Sequence, residues 1–276
     1  GGICMMSKEQ ALYLKKRKRK KIFILLSQIS LLIAFILSWE YTSNHELINS
    51  FIFSSPSEII KTLIALYKEN NLFIHIYVTS LEVIVSFLLS VIISFFLALF
   101  FYIFPTIKKI MDPFITMINS LPKVALGPLI IIWMGANTKS IIFMALLINL
   151  IVTFTTILNG FLNTDKDRIK LFKVLNASKK DIIFKLIIPS SRNEVISALR
   201  LNLSLSLIGV IMGEFLSCKK GIGYLILYGT QVFNLSLVMC GIFLLLLLSF
   251  IFYELINVID KELFHKDIHF EIKKSQ

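Results

Sequence analysis

Val83-Ile84-Val85-Ser86-Phe87-Leu88-Leu89-Ser90-Val91-Ile92-Ile93-Ser94-Phe95-Phe96-Leu97-Ala98-Leu99-Phe100-Phe101 is a run of nineteen residues without a single charge. A bilayer core is roughly 30 Å thick and takes about 20 apolar residues in a helix. A second run, Val238–Phe252, has the same character. Across all 276 residues the chain is 56% hydrophobic with a mean hydropathy of +0.80, above the 45–50% or so of soluble domains. Because the excess is concentrated in such runs, the chain reads as an all-α polytopic membrane protein rather than a soluble globule with a large core.

Working outward from Val83–Phe101 gives six spans, at about 22–39, 77–104, 113–134, 140–161, 195–216 and 237–258. The first follows an unbroken basic run, Lys15–Lys21. A cleaved signal peptide also starts basic and turns apolar, but Ile22–Trp39 is longer than an ordinary signal core and no small-residue cleavage pattern follows it, so an uncleaved helix is expected. The chain opens Gly1-Gly2, which places the expected translational start at Met5 or Met6. The domain reading is a basic tail at 1–21, one transmembrane domain at 22–258 and a polar tail at 259–276.

Net charge is +12. Nucleic-acid binding is one source of such a balance, but lysine and arginine also collect in cytoplasmic loops. With the N-terminus inside, 22 of the 29 basic residues fall in cytoplasmic segments and five outside. That asymmetry predicts N-in, C-in with an even number of spans, in the plasma membrane. Cys4, Cys218 and Cys240 have no paired spacing, and the four histidines are dispersed. No disulfide framework, metal site or catalytic cluster is expected.

Two polar segments are long enough to fold. Outside, Ser55-Pro56-Ser57-Glu58 combines a capping serine, a proline at the first helical position and a glutamate at the third. Ile59, Ile60, Leu63, Ile64 and Tyr67 then recur at helical spacing, predicting an amphipathic helix to about Asn70-Asn71. Inside, residues 163–189 predict two short helices. Thr164 with Asp167 and Ser178 with Asp181 form capping pairs, Asn176 stops the first helix in the left-handed conformation and Pro189 ends the second. Ile169, Phe172 and Leu175 form one apolar stripe, continued by Ile182, Ile183, Leu186 and Ile187. Such an element either rests on lipid headgroups or docks a soluble partner.

Several motifs, in order, point to a family. Asp112-Pro113 through Leu121-Pro122-Lys123-Val124-Ala125-Leu126-Gly127-Pro128 to Trp133-Met134-Gly135 resembles the third-span signature of binding-protein-dependent ABC permeases, in the group for nitrate, sulfonate, taurine and thiamine precursors. Leu175-Asn176-Ala177-Ser178 with Ile188-Pro189 resembles the loop by which such permeases grip their ATPase. Ala198-Leu199-Arg200, Gly213-Glu214-Phe215-Leu216 and Gly221-Ile222-Gly223-Tyr224-Leu225-Ile226 resemble the fifth-span pattern, and Ser54–Glu58 the outer-helix start. The resemblance covers nearly all of the chain from about residue 50. In the loop, Lys170-Leu171-Phe172 stands where the family usually has a Glu-Ala pair, Asn176 where it has Gly, and Asn193-Glu194 where a second proline is usual.

The resemblance implies the permease subunit of an importer, not an enzyme. No glycine here precedes a lysine, so the chain lacks the phosphate loop of a nucleotide site and binds no cofactor of its own; ATP-Mg would sit on a partner. The implied partners are two ATPase subunits, a second permease copy, an external solute-binding protein and the bilayer, with no nucleic acid. Candidate coupling residues are Phe172, Leu175, Asn176, Ala177, Ser178, Asp181, Ile182 and Pro189. Candidate pathway residues are Pro122, Lys123, Gly127, Pro128 and Glu214, because broken helices and intramembrane charges line solute routes. Lys123 would suit an anionic solute, or else snorkels to the interface. Arg200 is expected at the interface, and Glu214 beside the Gly221–Gly223 turn. An ion-coupled secondary transporter or channel is the competing class; an intramembrane enzyme is a third.

Overall fold

The computed structural model describes residues 8–45, 54–69, 71–217 and 219–274. Cys4, Met5, Met6, Asn70 and Cys218 lie outside them. Its contacts form two compact units, Gly1–Ala65 and Leu66–Gln276. The described residues contain five helices long and apolar enough to cross a membrane, and a bent pair that makes a sixth.

In the first unit, α1 runs from Lys8 to Asn44 without a break at the basic run, so Lys15–Lys21 are helical and continuous with the apolar span Ile22–Ser43. The outer helix α2 is Pro56–Lys68. Its start is tied to α1: the Glu40 carboxylate accepts from the Ser57 backbone N–H (3.1 Å) and hydroxyl (2.7 Å), and Ser43 donates to the Ser54 carbonyl (3.0 Å). Ser55 caps the Glu58 N–H at 3.2 Å, as the sequence requires.

The second unit is built on three helices: α3 (Leu72–Ile103), α6 (Thr138–Leu162) and α10 (Arg192–Ser217). Between α3 and α6 lie α4 (Pro105–Ser120), a 3₁₀ turn (Lys123–Leu126) and α5 (Gly127–Met134). Between α6 and α10 lie α7 (Lys166–Val174), α8 (Lys179–Ile182), a π turn (Ile183–Ile187) and α9 (Ile188–Ser190). Then come α11 (Ile222–Gln231) and the 40-residue α12 (Leu235–Lys274). The polar stretch after 258 is therefore a continuation of the last helix.

α3 is apolar outside and polar inside. Its buried positions include His75, Thr79, Glu82, Ser86, Ser90 and Ser94, while Leu88, Ile92 and Phe96 are exposed. In lipid an apolar side chain gains little by moving from solvent hydrocarbon to another helix, so small and hydrogen-bonding residues take the contacts. At mid-depth five fully buried polar side chains interlock three helices. Asn202 of α10 donates to Ser90 of α3 (2.7 Å) and Thr153 of α6 (2.8 Å); Asn149 of α6 donates to Ser206 of α10 (2.6 Å), whose hydroxyl donates to Asn202 (3.0 Å). Asn202→Leu leaves Ser90 without its donor and Ser206 without its acceptor in a dry interior, while Thr153 keeps its bond to the Asn149 carbonyl (2.8 Å). It should cost about 2 kcal/mol, measured as a fall of several degrees in the unfolding midpoint of the detergent-solubilised chain.

The expected third span, 113–134, is corrected. Its first half starts at Pro105, and the pair bends by 79°. Leu121 is extended (φ −67°, ψ 137°) because it precedes Pro122, and that conformation ends a helix. The Arg200 guanidinium pairs with Asp260 of α12 at 2.8 Å, joining two helices.

Candidate functional site

Residues 163–189 form a rigid element with an inner and an outer side. α7 ends in a closed C-terminal cap: the Ala177 N–H bonds the Phe172 carbonyl and the Asn176 N–H the Lys173 carbonyl, both at 3.0 Å, with Asn176 at φ +54°. Asn is among the few side-chain-bearing residues at home there. Ser178 caps α8 by accepting the Asp181 N–H (3.1 Å), and the Asp181 carboxylate bonds the Ser178 hydroxyl and Lys185. The Lys185 ammonium first, then the Ser178 hydroxyl, holds the Asp181 carboxyl down at about 2. This corner stays ionised and tied at any physiological pH.

Two sequence expectations are corrected here. Thr164 does not cap: the Asp165 side chain accepts the Asp167 N–H (2.9 Å), and the Thr164 hydroxyl is buried without a partner. Pro189 does not end its helix. Proline removes an N–H and crowds the carbonyl four residues earlier, and here the chain widens into the π turn over those residues and runs on to Ser190. The break comes at Ser191.

The predicted stripe splits between the two sides. Ile182, Leu186 and Ile187 are buried against Phe154, Ile157, Leu158 and Phe161 of α6, with Ile169, Phe172, Ala177 and Ile183 packed on that cluster. Leu175 instead points away, 69% exposed, beside Leu171 (57%) and Val174 (78%). Phe184 is exposed as well. Of the candidate coupling residues, Ile182 and Phe172 thus seat the element on the bundle. Leu175, Asn176, Ser178 and Pro189 lie on its exposed side, and Ala177 and Asp181 are half-buried between. Leu171, Val174 and Phe184 escaped the sequence reading; an apolar triad 171, 174, 175 at helical spacing among lysines was the available signal.

At the bend, Pro122 and Pro128 are exposed, Gly127 is buried and Lys123 is half-buried. The Lys123 ammonium reaches back to the Asn119 carbonyl (3.2 Å) and side-chain oxygen (3.4 Å), capping the end of α4. A cation there also answers the negative end of the helix dipole. α4 buries none of its residues; Ile110, Phe114 and Met117 lie on one open apolar face.

Glu214 lies elsewhere, in a fully buried cluster that holds the start of α11. Gly221 sits at φ +112°, where only glycine is unstrained. The three N–H groups that begin α11 go to three different side chains: Gly221 to His75 Nδ1 (2.9 Å), Ile222 to Thr79 Oγ1 (2.8 Å), and Gly223 to Glu214 Oε2. Thr79 in turn donates to Glu214 Oε1 (2.6 Å). Tyr224 stacks on His75 with ring centroids 6.0 Å apart, so it is part of this cluster. Glu82 is fully buried next to Glu214 and Thr138. Thr79→Val keeps the volume but removes one acceptor and one donor. It should cost about 1–2 kcal/mol, seen as a lowered unfolding midpoint.

Residues 90–265 match the family described as a binding-protein-dependent transport system inner membrane component. That stretch takes in the bend, the 163–189 element and Glu214. A probable ABC transporter permease protein of Haemophilus influenzae is 25% identical over 218 residues, covering 79% of this chain and 88% of its own length. The formylaminopyrimidine transport permease protein ThiX of Halalkalibacterium halodurans is 24% identical over 174 residues, 63% and 69% of the two chains. The taurine transport system permease protein TauC of Escherichia coli is 20% identical over 218 residues, 77% and 79% of the two chains.

Proposed function

This chain belongs to the family of binding-protein-dependent transport system inner membrane components, a multi-pass permease of the ABC type, and on that premise we propose that it forms the solute path of an importer driven by a separate ATPase. The observation that carries this reading is the two-sided 163–189 element: an exposed apolar patch, Leu171, Val174 and Leu175, on a base whose Ile182, Leu186 and Ile187 are locked into the bundle. A force on the patch reaches the membrane helices without loss in a flexible joint.

Two copies of the permease flank the path, with the open faces of α4 and α5 toward it. Closure of two ATPase subunits on ATP pulls the 163–189 elements together and tilts the helices they sit on. The path then opens to the external binding protein, and it reopens inward after hydrolysis. Similarity to permeases named for taurine and for a formylaminopyrimidine favours a small polar solute. The Lys123 ammonium at the bend of each copy favours an anion such as a sulfonate, taurine or nitrate over the pyrimidine.

The test is reconstitution. Proteoliposomes carrying the chain, the ATPase subunit and the binding protein take up solute only with ATP inside the compartment that holds the ATPase. Omission of either partner stops uptake. Uptake on an ion gradient alone, without the ATPase, would overturn the proposal in favour of a secondary transporter or channel.

A further inference from the structure

We propose that the seven consecutive cations Lys15–Lys21 form a collar that binds the anionic phosphate headgroups of the bilayer around α1. The collar is helical and runs directly into the apolar span Ile22–Ser43, so it is held at headgroup depth by the covalent chain. Seven residues extend about 10 Å along a helix axis, and the headgroup layer on each side of the hydrocarbon is roughly 5–7 Å deep. At about 100° per residue, seven successive positions leave no gap wider than roughly 60° around the axis. Lys16, Arg17, Arg19 and Lys20 are exposed.

That distribution selects the partner. A protein surface meets one side of a helix and is answered by a stripe; lipid headgroups surround it and are answered by a ring. The charge is also uncompensated on its own helix. Gln10–Trp39 contains no acidic residue, and Glu9 lies six positions, about 9 Å, ahead of Lys15. Juxtamembrane clusters of this size attract anionic lipid, by up to about fivefold per charge at low salt.

The experiment uses the full chain in an uncharged detergent, titrated separately with phosphatidylglycerol and phosphatidylcholine, with retained lipids counted by native mass spectrometry. The wild type should keep phosphatidylglycerol at least about tenfold better at low salt. The preference should fall severalfold at about 0.5 M salt, where the screening length shrinks to roughly 4 Å. Changing all seven cations to Gln should remove it, while Arg17→Lys with Arg19→Lys leaves it within about twofold. The salt arm needs no variant and so is independent of any folding defect. Equal retention of the two lipids by the wild type would overturn the proposal, as would a preference indifferent to salt. Loss of ATPase co-purification in the Gln variant with its lipid preference intact would also overturn it, assigning the collar to a protein contact.

Discussion

Leu171→Asp, Val174→Asp and Leu175→Asp together abolish ATP-driven uptake, by at least about 100-fold, and release the ATPase subunit on purification. Apolar anchors at the centre of an interface are each worth 2 kcal/mol or more, about 30-fold in affinity, and a carboxylate in their place adds a desolvation cost. All three side chains are more than half exposed in the chain by itself, and surface substitutions of that kind move stability by only about 0.5 kcal/mol. The triple variant therefore keeps the unfolding midpoint of the wild type. Ile182→Asp behaves differently: Ile182 is buried in the cluster against α6, so a charge there unseats the element and lowers the midpoint as well. A triple variant that still binds the ATPase and still transports would remove the 163–189 element from the mechanism.

Gly209→Leu prevents α10 from docking on α6 and leaves little folded protein. A Cβ on Gly209 would stand 2.5 Å from the Ala145 Cα and 2.9 Å from its Cβ, well inside contact distance. One turn along, a Cβ on Gly213 would stand 3.1 Å from the Ile141 Cα. This pair of glycines lets the two backbones approach as close as helices in lipid can, and the Asn149–Asn202–Ser206 bonds need that approach. Overpacking costs about 1–3 kcal/mol or more; here the polar interlock breaks with it, so the loss is at the upper end. Gly209→Ala is milder, and Ala145→Gly rescues it only in part, because the obstructing atom includes the Ala145 Cα. Full rescue by Ala145→Gly in a double-mutant cycle would show that the side chain alone sets the helix separation.

Five of the six spans, the outer helix with its Ser55 cap and the Asn176 turn were legible in the sequence. Each rests on a local rule that tertiary contacts do not override: an uncharged run long enough to cross a bilayer, a proline at the first helical position, an asparagine where the chain turns left-handed. The bend at Leu121–Pro122 was half legible. Proline announces a break, but only the packing around Gly127, whose added Cβ would stand 2.5 Å from Leu216 Cδ1, decides where the second half goes.

Which side of each helix is buried was decided by the tertiary structure alone. In water the apolar face turns inward; in lipid that rule gives no direction, and on α3 the polar face turns inward, where Ser90 meets Asn202 and Ser94 the Leu150 carbonyl on other helices. The same reason hid the triad that caps α11. His75, Thr79 and Glu214 come from two helices over a hundred residues apart in the chain, and no spacing rule connects them. Sequence determined that the chain crosses the membrane and where it turns, because those are properties of single segments. Only the fold determined which polar groups meet, because in a medium without water side chains such as Asn149, Asn202 and Glu214 take their partners from another helix.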